Sequence, residues 1–162
     1  MAEIVVREAV GDEDLALVRS LMESYRAFLS GSPSGSANMC LSGFREELDA
    51  LRGKYSALLL ATVDGVAAGC VALRRLSGIE GACEMKRLWV DSDFRGMGLG
   101  RRLVEDAVQW ARREGMRAIH LDTISAVMPE ANRLYAAMGF VRVEPYHRDC
   151  TEDVEFFRLD LG

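Results

Sequence analysis

The sequence predicts one domain of the α+β class over residues 1–162, built on a mixed α/β sheet of about seven strands with flanking helices. Three observations support this class. The chain has 162 residues, the size of a single domain. Apolar residues make up 49% and charged residues 28%, which is the usual globular mixture. Strand-like and helix-like patterns are interspersed along the chain, and no repeat or linker separates them.

The first part of the chain predicts one strand and two helices. Residues 3–9 include Ile-Val-Val and indicate a strand. A helix follows from Asp12, its expected cap, to Leu29, because apolar residues recur there every three or four positions. The Ser- and Gly-rich residues 30–36 predict a loop, either a connector or a mobile flap over a pocket. A short second helix is predicted over residues 42–51.

Residues 55–73 are almost wholly apolar, but a buried hairpin explains them better than a membrane span. Asp64 interrupts the run, and a carboxylate at the bilayer centre costs roughly 2.5–3.5 kcal/mol on insertion scales. The pair Asp64-Gly65 between two apolar runs is a strong signal for a hairpin turn. We therefore predict strands over residues 57–63 and 66–74.

The second half of the chain predicts four more strands and two helices. In the first of these strands, residues 83–90 alternate so that one face would carry Cys83, Met85, Arg87 and Trp89. The remaining predicted elements are, in order, a helix with an apolar stripe over 98–114, a strand over 118–123, a helix over 129–138, and strands over 141–146 and 154–161.

Charge and cysteine content argue against several classes of protein. The chain has 20 basic and 25 acidic residues, a net charge of −5, so it is a poor general binder of nucleic acid. Its four cysteines and two histidines lack metal-ligand spacing, and we expect no metal site. The N-terminus lacks the pattern of a signal peptide, so we expect a cytoplasmic protein with reduced thiols and no membrane partner.

Residues 95–100, Arg-Gly-Met-Gly-Leu-Gly, predict an anion-binding loop between a strand and a helix. Glycines let backbone N–H groups approach a ligand closely, and the helix N-terminus adds unpaired donors and a positive dipole end. Arg95, Arg101 and Arg102 add positive charge. Three glycines in five residues exceed what a tight turn requires, so we favour binding of a phosphate or pyrophosphate.

Two nucleotide-binding motifs fit this loop poorly. The dinucleotide fingerprint requires a third glycine where the chain has Arg101, and residues 91–95 separate the strand from the loop. Asp122, at the end of the next strand, does imitate the ribose-binding acid, so a dinucleotide-binding enzyme stays an alternative. A Walker loop is excluded because no Gly-Lys-Ser/Thr follows.

The stretches 84–90 and 94–100 resemble the acyl-CoA motif of the GNAT superfamily of N-acetyltransferases. That motif reads Arg or Gln, two residues, Gly, one residue, then Gly or Ala. In this chain Arg95, Gly98 and Gly100 fill it. A glycine loop alone would be weak support, so the resemblance depends on a second signature.

The second signature lies in residues 132–135, Asn-Arg-Leu-Tyr, and in the Gly-Phe pair at 139–140. Both signatures stand in the order and at the distance that are typical of the family. The resemblance implies a GNAT-like acyl-CoA N-acyltransferase fold. It also implies an enzyme that transfers the acetyl group of acetyl-CoA to a primary amine by direct attack in a ternary complex.

The resemblance further implies how the co-substrate is held. In the family, a strand that splays from its neighbour binds the pantetheine arm, the glycine loop binds the pyrophosphate, and an Asn hydrogen-bonds the arm. The expected acetyl-CoA-binding residues are Leu88, Trp89, Val90, Arg95, Gly96, Met97, Gly98, Leu99, Gly100, Arg101 and Asn132. The 3′-phosphate would be reached by Arg101, Arg102 or Arg133.

Acetyl transfer to an amine needs a base, an oxyanion donor and an acid. Tyr135 lies where the family often places the acid, although an aromatic core residue is the alternative. Glu84 is the candidate base, directly or through water, although it could instead be a strand residue paired with Lys86 or Arg87. The N–H of Leu88 is the candidate oxyanion donor.

The sequence leaves the acceptor open among a small-molecule amine, a peptide N-terminus and a protein lysine. His147 either lines the acceptor side or is an ordinary, partly packed histidine, and we interpret His120 as structural. A cationic amine could be attracted by carboxylates that are otherwise plain surface charges, namely Glu46, Glu47, Asp149, Glu152 and Asp153. A homodimer is expected from the resemblance alone, and a non-catalytic acyl-CoA-binding or sensor domain is the alternative function.

Overall fold

The computed structural model describes residues 1–31, 44–124, 129–147 and 154–162. Within them the order of strands and helices follows the sequence prediction. The elements are β1 (Ile4–Glu8), α1 (Gly11–Ser30), α2 (Phe44–Asp49), α3 (Leu51–Lys54), β2 (Ala57–Val63), β3 (Val66–Arg75), β4 (Ala82–Val90), a 3₁₀ turn (Ser92–Phe94), α4 (Leu99–Arg113), β5 (Ala118–Ile124), α5 (Pro129–Ala137), β6 (Val141–Val143) and β7 (Val154–Asp160).

All seven strands belong to one mixed sheet in the order β1-β2-β3-β4-β5-β7-β6. Neighbouring strands run antiparallel except β4 and β5, which run parallel. The last strand of the chain, β7, inserts between β5 and β6 and pairs with both. The predicted fold class and strand number are confirmed.

The predicted hairpin is confirmed, and its burial explains the apolar run in the sequence. Asp64 and Gly65 both have positive φ, 49° and 81°, which suits the two-residue turn of a hairpin. Every residue of β2 is buried, because helices cover both faces of the sheet at this point. No helix among the described residues is long and apolar enough to span a membrane.

One face of the sheet is covered by α4 and α5, and the other by α1. The predicted apolar stripe of α4 is confirmed, because its members, Leu99, Leu103, Ala107, Trp110 and Ala111, are all buried. On the opposite face, α1 packs Val18, Leu21 and Met22 against β2, β3 and β4. Burying a side chain of this size contributes about 1.5–3 kcal/mol, so these two layers supply much of the stability.

The predicted alternation of β4 is wrong beyond Met85. A register shift against β3 inserts an extra residue there, and Arg87 adopts φ +61°. As a result Met85 and Leu88 pack in the core under α4, whereas Trp89 packs on the α1 side. The β-bulge therefore separates Trp89 from the face on which strict alternation had placed it.

Other element boundaries also differ from the sequence prediction. Asp12 does not cap α1, because the helix begins at Gly11 and the N–H of Val10 donates to Asp14 Oδ2 at 2.9 Å. The predicted helix over 42–51 is divided at Ala50, between α2 and α3. Residues 32–36 of the predicted Ser- and Gly-rich loop lie outside the described residues.

Asp14 joins the start of α1 to β1, and we expect protonation of its carboxylate at low pH to weaken this junction. Hydrogen bonds from Arg7 and from the N–H of Val10 lower the pKa of Asp14 from 3.8 to about 2. Because the folded pKa is depressed, the stabilisation is present above about pH 4 and is lost as the pH falls towards 2. Asp14→Asn should lower the free energy of unfolding at neutral pH. It should also reduce the loss of that free energy as the pH falls from about 4 towards 2.

Urea unfolding followed by tryptophan fluorescence at several pH values would measure this effect. Asp12→Asn is the matched control, because the side chain of Asp12 is 99% exposed. Identical curves for Asp14→Asn and Asp12→Asn would contradict the assigned role of Asp14.

Candidate active site

The strands β4 and β5 separate after a short paired stretch. They pair only where Ala82–Glu84 faces Ala118–His120, although β4 continues to Val90 and β5 to Ile124. Over the described residues, β4 beyond Glu84 keeps its hydrogen bonds to β3 but has none to β5. The backbone edge of β4 therefore opens into a cleft between the two strands, available to an extended ligand.

A cavity of about 430 Å³ lies beside the free end of β4, within the range typical of small-molecule sites. It brings together strand β4, the glycine loop and α5. Among the predicted acetyl-CoA-binding residues, those that line it are Leu88, Trp89, Val90, Arg95, Gly96, Gly98, Leu99 and Gly100. Met97, Arg101 and Asn132 are not in its lining, and all these binding roles stay predictions.

The glycine loop needs glycine for its backbone conformation. Gly96 and Gly98 have φ of +82° and +78°, and Gly98 immediately precedes the first turn of α4. A Cβ on either residue would meet no atom within 4 Å, so crowding is not the reason for glycine there. The open space lies at the N-terminus of a 15-residue helix, where unpaired N–H groups and the helix dipole favour an anion.

Arg95 is the loop arginine that lines the cavity. Its guanidinium lies over the ring of Trp89, 5.0 Å from the ring centroid, and its Nε donates to the carbonyl of Val90 at 3.2 Å. Arg101 instead pairs with Glu105 on the exposed surface of α4. Of the arginines predicted to contact the phosphates, Arg95 is the one that lines the cavity.

Asn132 carries a polar atom that suits a ligand. Its Oδ1 is buried and has no hydrogen-bond partner among the described residues. A buried acceptor without a partner costs about 1–3 kcal/mol, so a donor from a bound molecule would relieve that cost. Its neighbours Ala131 and Leu134 line the cavity. The amide N–H groups of a pantetheine arm are donors of this kind, and the residues present fit acetyl-CoA.

A second, smaller cavity of about 30 Å³ lies next to the first, and Leu88 lines both. Tyr135 lines the smaller cavity, and its ring packs against Phe140 and Phe157 at centroid distances of 5.6 and 6.1 Å. Burial raises the pKa of Tyr135 well above its usual 10, so its hydroxyl keeps its proton. Tyr135 is thus packed as a core aromatic and also reaches the cleft; its acid role stays a prediction.

Glu84 is fully buried at the point where β4 and β5 part. Its Oε1 accepts a hydrogen bond from Arg74 Nε at 2.7 Å, and its Oε2 accepts one from the hydroxyl of Tyr146 at 2.6 Å. The ion-pair partner is therefore Arg74, and neither Lys86 nor Arg87 as the sequence suggested. Both carboxylate oxygens are engaged, and the base role of Glu84 stays a prediction.

Sequence reasoning missed a second ionisable pair. Asp122 Oδ2 and His147 Nε2 lie 2.6 Å apart, with side chains only 14% and 16% exposed. The pKa of His147 is raised by its hydrogen bond to Asp122, although burial opposes the shift. Burial would raise the pKa of Asp122, but the hydrogen bond from His147 and nearby positive charges outweigh it and lower the pKa. Two features of the sequence could have indicated this pair: Asp122 is a carboxylate at the end of a strand, and His147 is one of only two histidines.

Potential ligand atoms of Glu84, Asp122 and His147 lie within 4.8 Å of one another, a grouping that could hold a metal ion. Their present contacts already satisfy them, because Arg74 and Tyr146 engage Glu84 while Asp122 and His147 engage each other.

The acidic residues that could attract a cationic acceptor lie in different environments. Glu47 forms a buried ion pair with Arg87, with Oε2 at 2.9 Å from Nε, so its charge is neutralised inside the protein. Glu46 is exposed on α2. The predicted carboxylates at positions 149, 152 and 153 lie outside the described residues. Among the described carboxylates, Glu130 lines the larger cavity and Asp122 lines the smaller one.

Comparison with known proteins agrees with this geometry. The model of the acetyltransferase (GNAT) family matches residues 18–140. An uncharacterised N-acetyltransferase of Schizosaccharomyces pombe is 40% identical over 98 residues, which cover 60% of this chain and 59% of the relative. The match thus spans less than two thirds of that relative's length.

Two solved structures have the same fold. An acetyltransferase of the GNAT family from Staphylococcus aureus Mu50 has a TM-score of 0.79 at 17% identity, with 99% of this chain and 100% of that chain covered. A Salmonella typhimurium protein solved with its cofactor acetyl-CoA has a TM-score of 0.68 at 20% identity, with 98% and 94% covered. At these identities the similarity shows the fold alone.

Gly100 offers a test of ligand binding that avoids backbone strain. It lies in α4 without positive φ, and a Cβ there would be 3.5 Å from Leu134 Cδ2, inside the cavity lining. Gly100→Trp should fill the cavity and weaken acetyl-CoA binding by about 100-fold or more, equivalent to about 2.8 kcal/mol. Isothermal titration calorimetry measures this affinity.

Gly53→Trp is the matched control, because a Cβ at Gly53 in α3 meets no atom within 4 Å and the residue lines neither cavity. Circular dichroism checks that both variants fold. Equal acetyl-CoA affinity in the two folded variants would show that the ligand binds elsewhere.

Proposed function

The chain belongs to the GNAT family of acetyltransferases, and we propose that it transfers the acetyl group of acetyl-CoA to a primary amine by direct attack in a ternary complex. One observation carries the proposal. A large cavity beside the glycine loop, at a helix N-terminus, meets at Leu88 a smaller cavity that lies between β4 and β5 and is lined by Tyr135 and Asp122. Leu88 lies at the junction of the two cavities, where a thioester bound in the cleft would meet an amine.

The loop and the strand edge account for binding in this proposal. The N–H groups around Gly96 and Gly98 receive the pyrophosphate, with Arg95 beside them. The edge of β4 from Leu88 to Val90 holds the pantetheine arm as an added strand would, and Asn132 Oδ1 accepts a hydrogen bond from it.

Tyr135 and the backbone of Leu88 account for part of the chemistry. An alkylammonium has a pKa near ~10.4, so the acceptor must lose a proton before its nitrogen can attack the thioester carbonyl. The N–H of Leu88 stabilises the oxyanion that forms. Tyr135 then donates its proton to the departing sulfur, whose thiol has a pKa near ~8.5. Glu84 is the candidate base from the sequence, directly or through water.

A calorimetric titration with acetyl-CoA, with NAD in parallel, tests the binding half of the proposal. Micromolar binding of acetyl-CoA and none of NAD is the expected result, whereas NAD binding alone would restore the dinucleotide reading. A panel of a small primary amine, an amino acid, a peptide with a free N-terminus and a lysine side chain then tests transfer by thiol release. Binding without thiol release for any amine would identify an acyl-CoA-binding or sensor domain.

We further propose that the protein is cytoplasmic and forms a homodimer. We also expect no nucleic-acid partner, because the net charge of the chain is −5. Size-exclusion chromatography with light scattering would measure the oligomeric state.

Tyr135→Phe should lower kcat by about 10²–10⁴-fold, because the acid acts only in the transition state. Acetyl-CoA affinity should stay unchanged, since the phenyl ring keeps its packing against Phe140 and Phe157. Single-turnover kinetics with the best amine of the panel, together with calorimetry, separate the two quantities.

Tyr55→Phe is the matched control, because it removes a buried tyrosine hydroxyl from a residue that lines neither cavity. If Tyr135→Phe turned over at the rate of the wild type under conditions where chemistry is limiting, Tyr135 would have no part in the mechanism.

A further inference from the structure

We propose that Phe28 and Trp89 form an aromatic pair that holds the guanidinium of Arg95 in place for the pyrophosphate of acetyl-CoA. The inference rests on the proposed acetyl transfer and deepens it, because it assigns positioning roles to two aromatic residues of the co-substrate site. Phe28 belongs to α1. Both sequence signatures lie in other elements, so they do not indicate a role for Phe28.

Both aromatic rings contact the same cation. The Cζ atom of Arg95 lies 5.0 Å from the ring centroid of Trp89 and 5.7 Å from that of Phe28. The two ring centroids are 5.3 Å apart at an interplanar angle of 47°, so the guanidinium and the two rings form one compact group. A planar guanidinium is attracted to an aromatic face within about 6 Å, and both distances meet this limit. Arg95 is therefore held by two rings rather than by one.

The two rings are themselves held in place. Trp89 is buried, its Nε1–H donates to Asp91 Oδ1 at 2.6 Å, and the ring of Tyr25 packs edge-on against it at 5.9 Å. Phe28 is 40% exposed, but its neighbour Leu29 is buried and anchors this turn of α1. The aromatic pair thus has an inner and an outer ring, and it offers the guanidinium a fixed surface.

The contacts of Arg95 leave its terminal nitrogens available to an anion. Its Nε donates to the carbonyl of Val90 at 3.2 Å, and it makes no ion pair with any residue that the structure describes. Arg101 instead pairs with Glu105 at 3.1 Å. The guanidinium of Arg95 therefore keeps a positive charge that no contact with a described carboxylate neutralises.

This charge faces the space where the pyrophosphate is proposed to bind. Phe28, Trp89 and Arg95 line the larger cavity together with the glycine loop, which lies at the N-terminus of α4. Glu130 on α5 also lines this cavity and would repel an anion, so the charge of Arg95 is needed there. Holding the guanidinium in advance reduces the side-chain freedom that is lost when the ligand binds. The aromatic pair thus increases affinity through Arg95.

Phe28→Leu tests the outer ring, because it keeps an apolar side chain on α1 and removes the aromatic face. Isothermal titration calorimetry should show that the Kd for acetyl-CoA rises about 3–10-fold. Phe28→Tyr keeps the aromatic face and should bind acetyl-CoA as the wild type does. Circular dichroism checks that both variants fold. Equal affinity in Phe28→Leu and the wild type, or an equal loss in both variants, would overturn the proposal.

A double-mutant cycle tests whether Phe28 acts through Arg95. Arg95→Gln removes the cation and should weaken acetyl-CoA binding by about 10-fold or more. In that background Phe28→Leu should cause no further loss, because no guanidinium remains to be held. Arg101→Gln is the matched control, since Arg101 does not line the cavity, and the effect of Phe28→Leu should persist in it. A further 3–10-fold loss in the Arg95→Gln background would overturn the positioning role.

A truncated ligand separates the pyrophosphate from the pantetheine arm. S-Acetyl-pantetheine keeps the thioester and the arm but lacks every phosphate of acetyl-CoA. Its affinity, measured in the millimolar range by NMR titration, should be the same in the wild type and in Phe28→Leu. A loss as large as that for acetyl-CoA would show that Phe28 contacts the arm, and it would overturn a role through the pyrophosphate.

Tryptophan fluorescence reports the inner ring directly. The chain has two tryptophans, so Trp110→Phe leaves Trp89 as the only one. A cation on the face of an indole alters its emission, and Arg95→Gln in this background should therefore change the emission of Trp89. Arg101→Gln should leave it unchanged. Unchanged emission in Arg95→Gln would show that the guanidinium does not lie over the ring, and it would overturn the proposal.

Failure of the aromatic pair and failure of the proposed function give different results. A folded wild type that does not bind acetyl-CoA would overturn the proposed function itself. Acetyl-CoA binding that is normal in the wild type and equally tight in Phe28→Leu would overturn the positioning role alone.

Discussion

The separation of β4 from β5 after three residue pairs is the constraint on which the rest of the site depends. Continued pairing would have covered the edge of β4 and closed the space of the smaller cavity, which β4 and β5 both line. Backbone donors and acceptors left without partners inside a protein are costly, so the open edge is a place where an extended ligand gains hydrogen bonds. The fold thus keeps a binding surface in the middle of its sheet.

Two local features accompany the separation of β4 from β5. The β-bulge places Arg87 in a left-handed conformation, and Arg87 is anchored by its buried ion pair with Glu47 on α2. Breaking a buried pair of this kind costs about 3–5 kcal/mol, because it leaves one charge uncompensated. At the base of the cleft, Glu84 lies between Arg74 and Tyr146. Strand geometry and buried charge therefore support each other.

Hydrogen bonds within the polar cluster at the base of the cleft offset the cost of burying its charged groups. Tyr146 is hydrogen-bonded to Glu84, and His147 to Asp122. Each of these hydrogen bonds satisfies polar groups whose burial would otherwise be costly. The hydrogen bond between Asp122 and His147 also lowers the pKa of Asp122 and raises that of His147.

The sequence by itself determined the fold class, the hairpin at Asp64 and Gly65, the long amphipathic helix and the glycine loop. These features depend on local patterns, because turn chemistry, helical periodicity and glycine spacing act over a few residues. The two signatures also sufficed to identify the family. Asn132 and Tyr135 were identified in the same way, from their place in the second signature, and their roles remain proposals.

Only the tertiary structure decided how β4 is shared between two faces and which groups meet at the base of the cleft. A single inserted residue at Arg87 moves the following side chains of β4 to the opposite faces of the sheet. No local sequence pattern in the strand predicts such a bulge. Asp122 and His147 are 25 positions apart, and Glu84 and Tyr146 are 62 apart. Glu84 and Asp122 come close because β4 and β5 lie side by side in one sheet, and Tyr146 and His147 reach them from the segment that follows β6. Long-range pairing of this kind is set by the burial of the whole sheet.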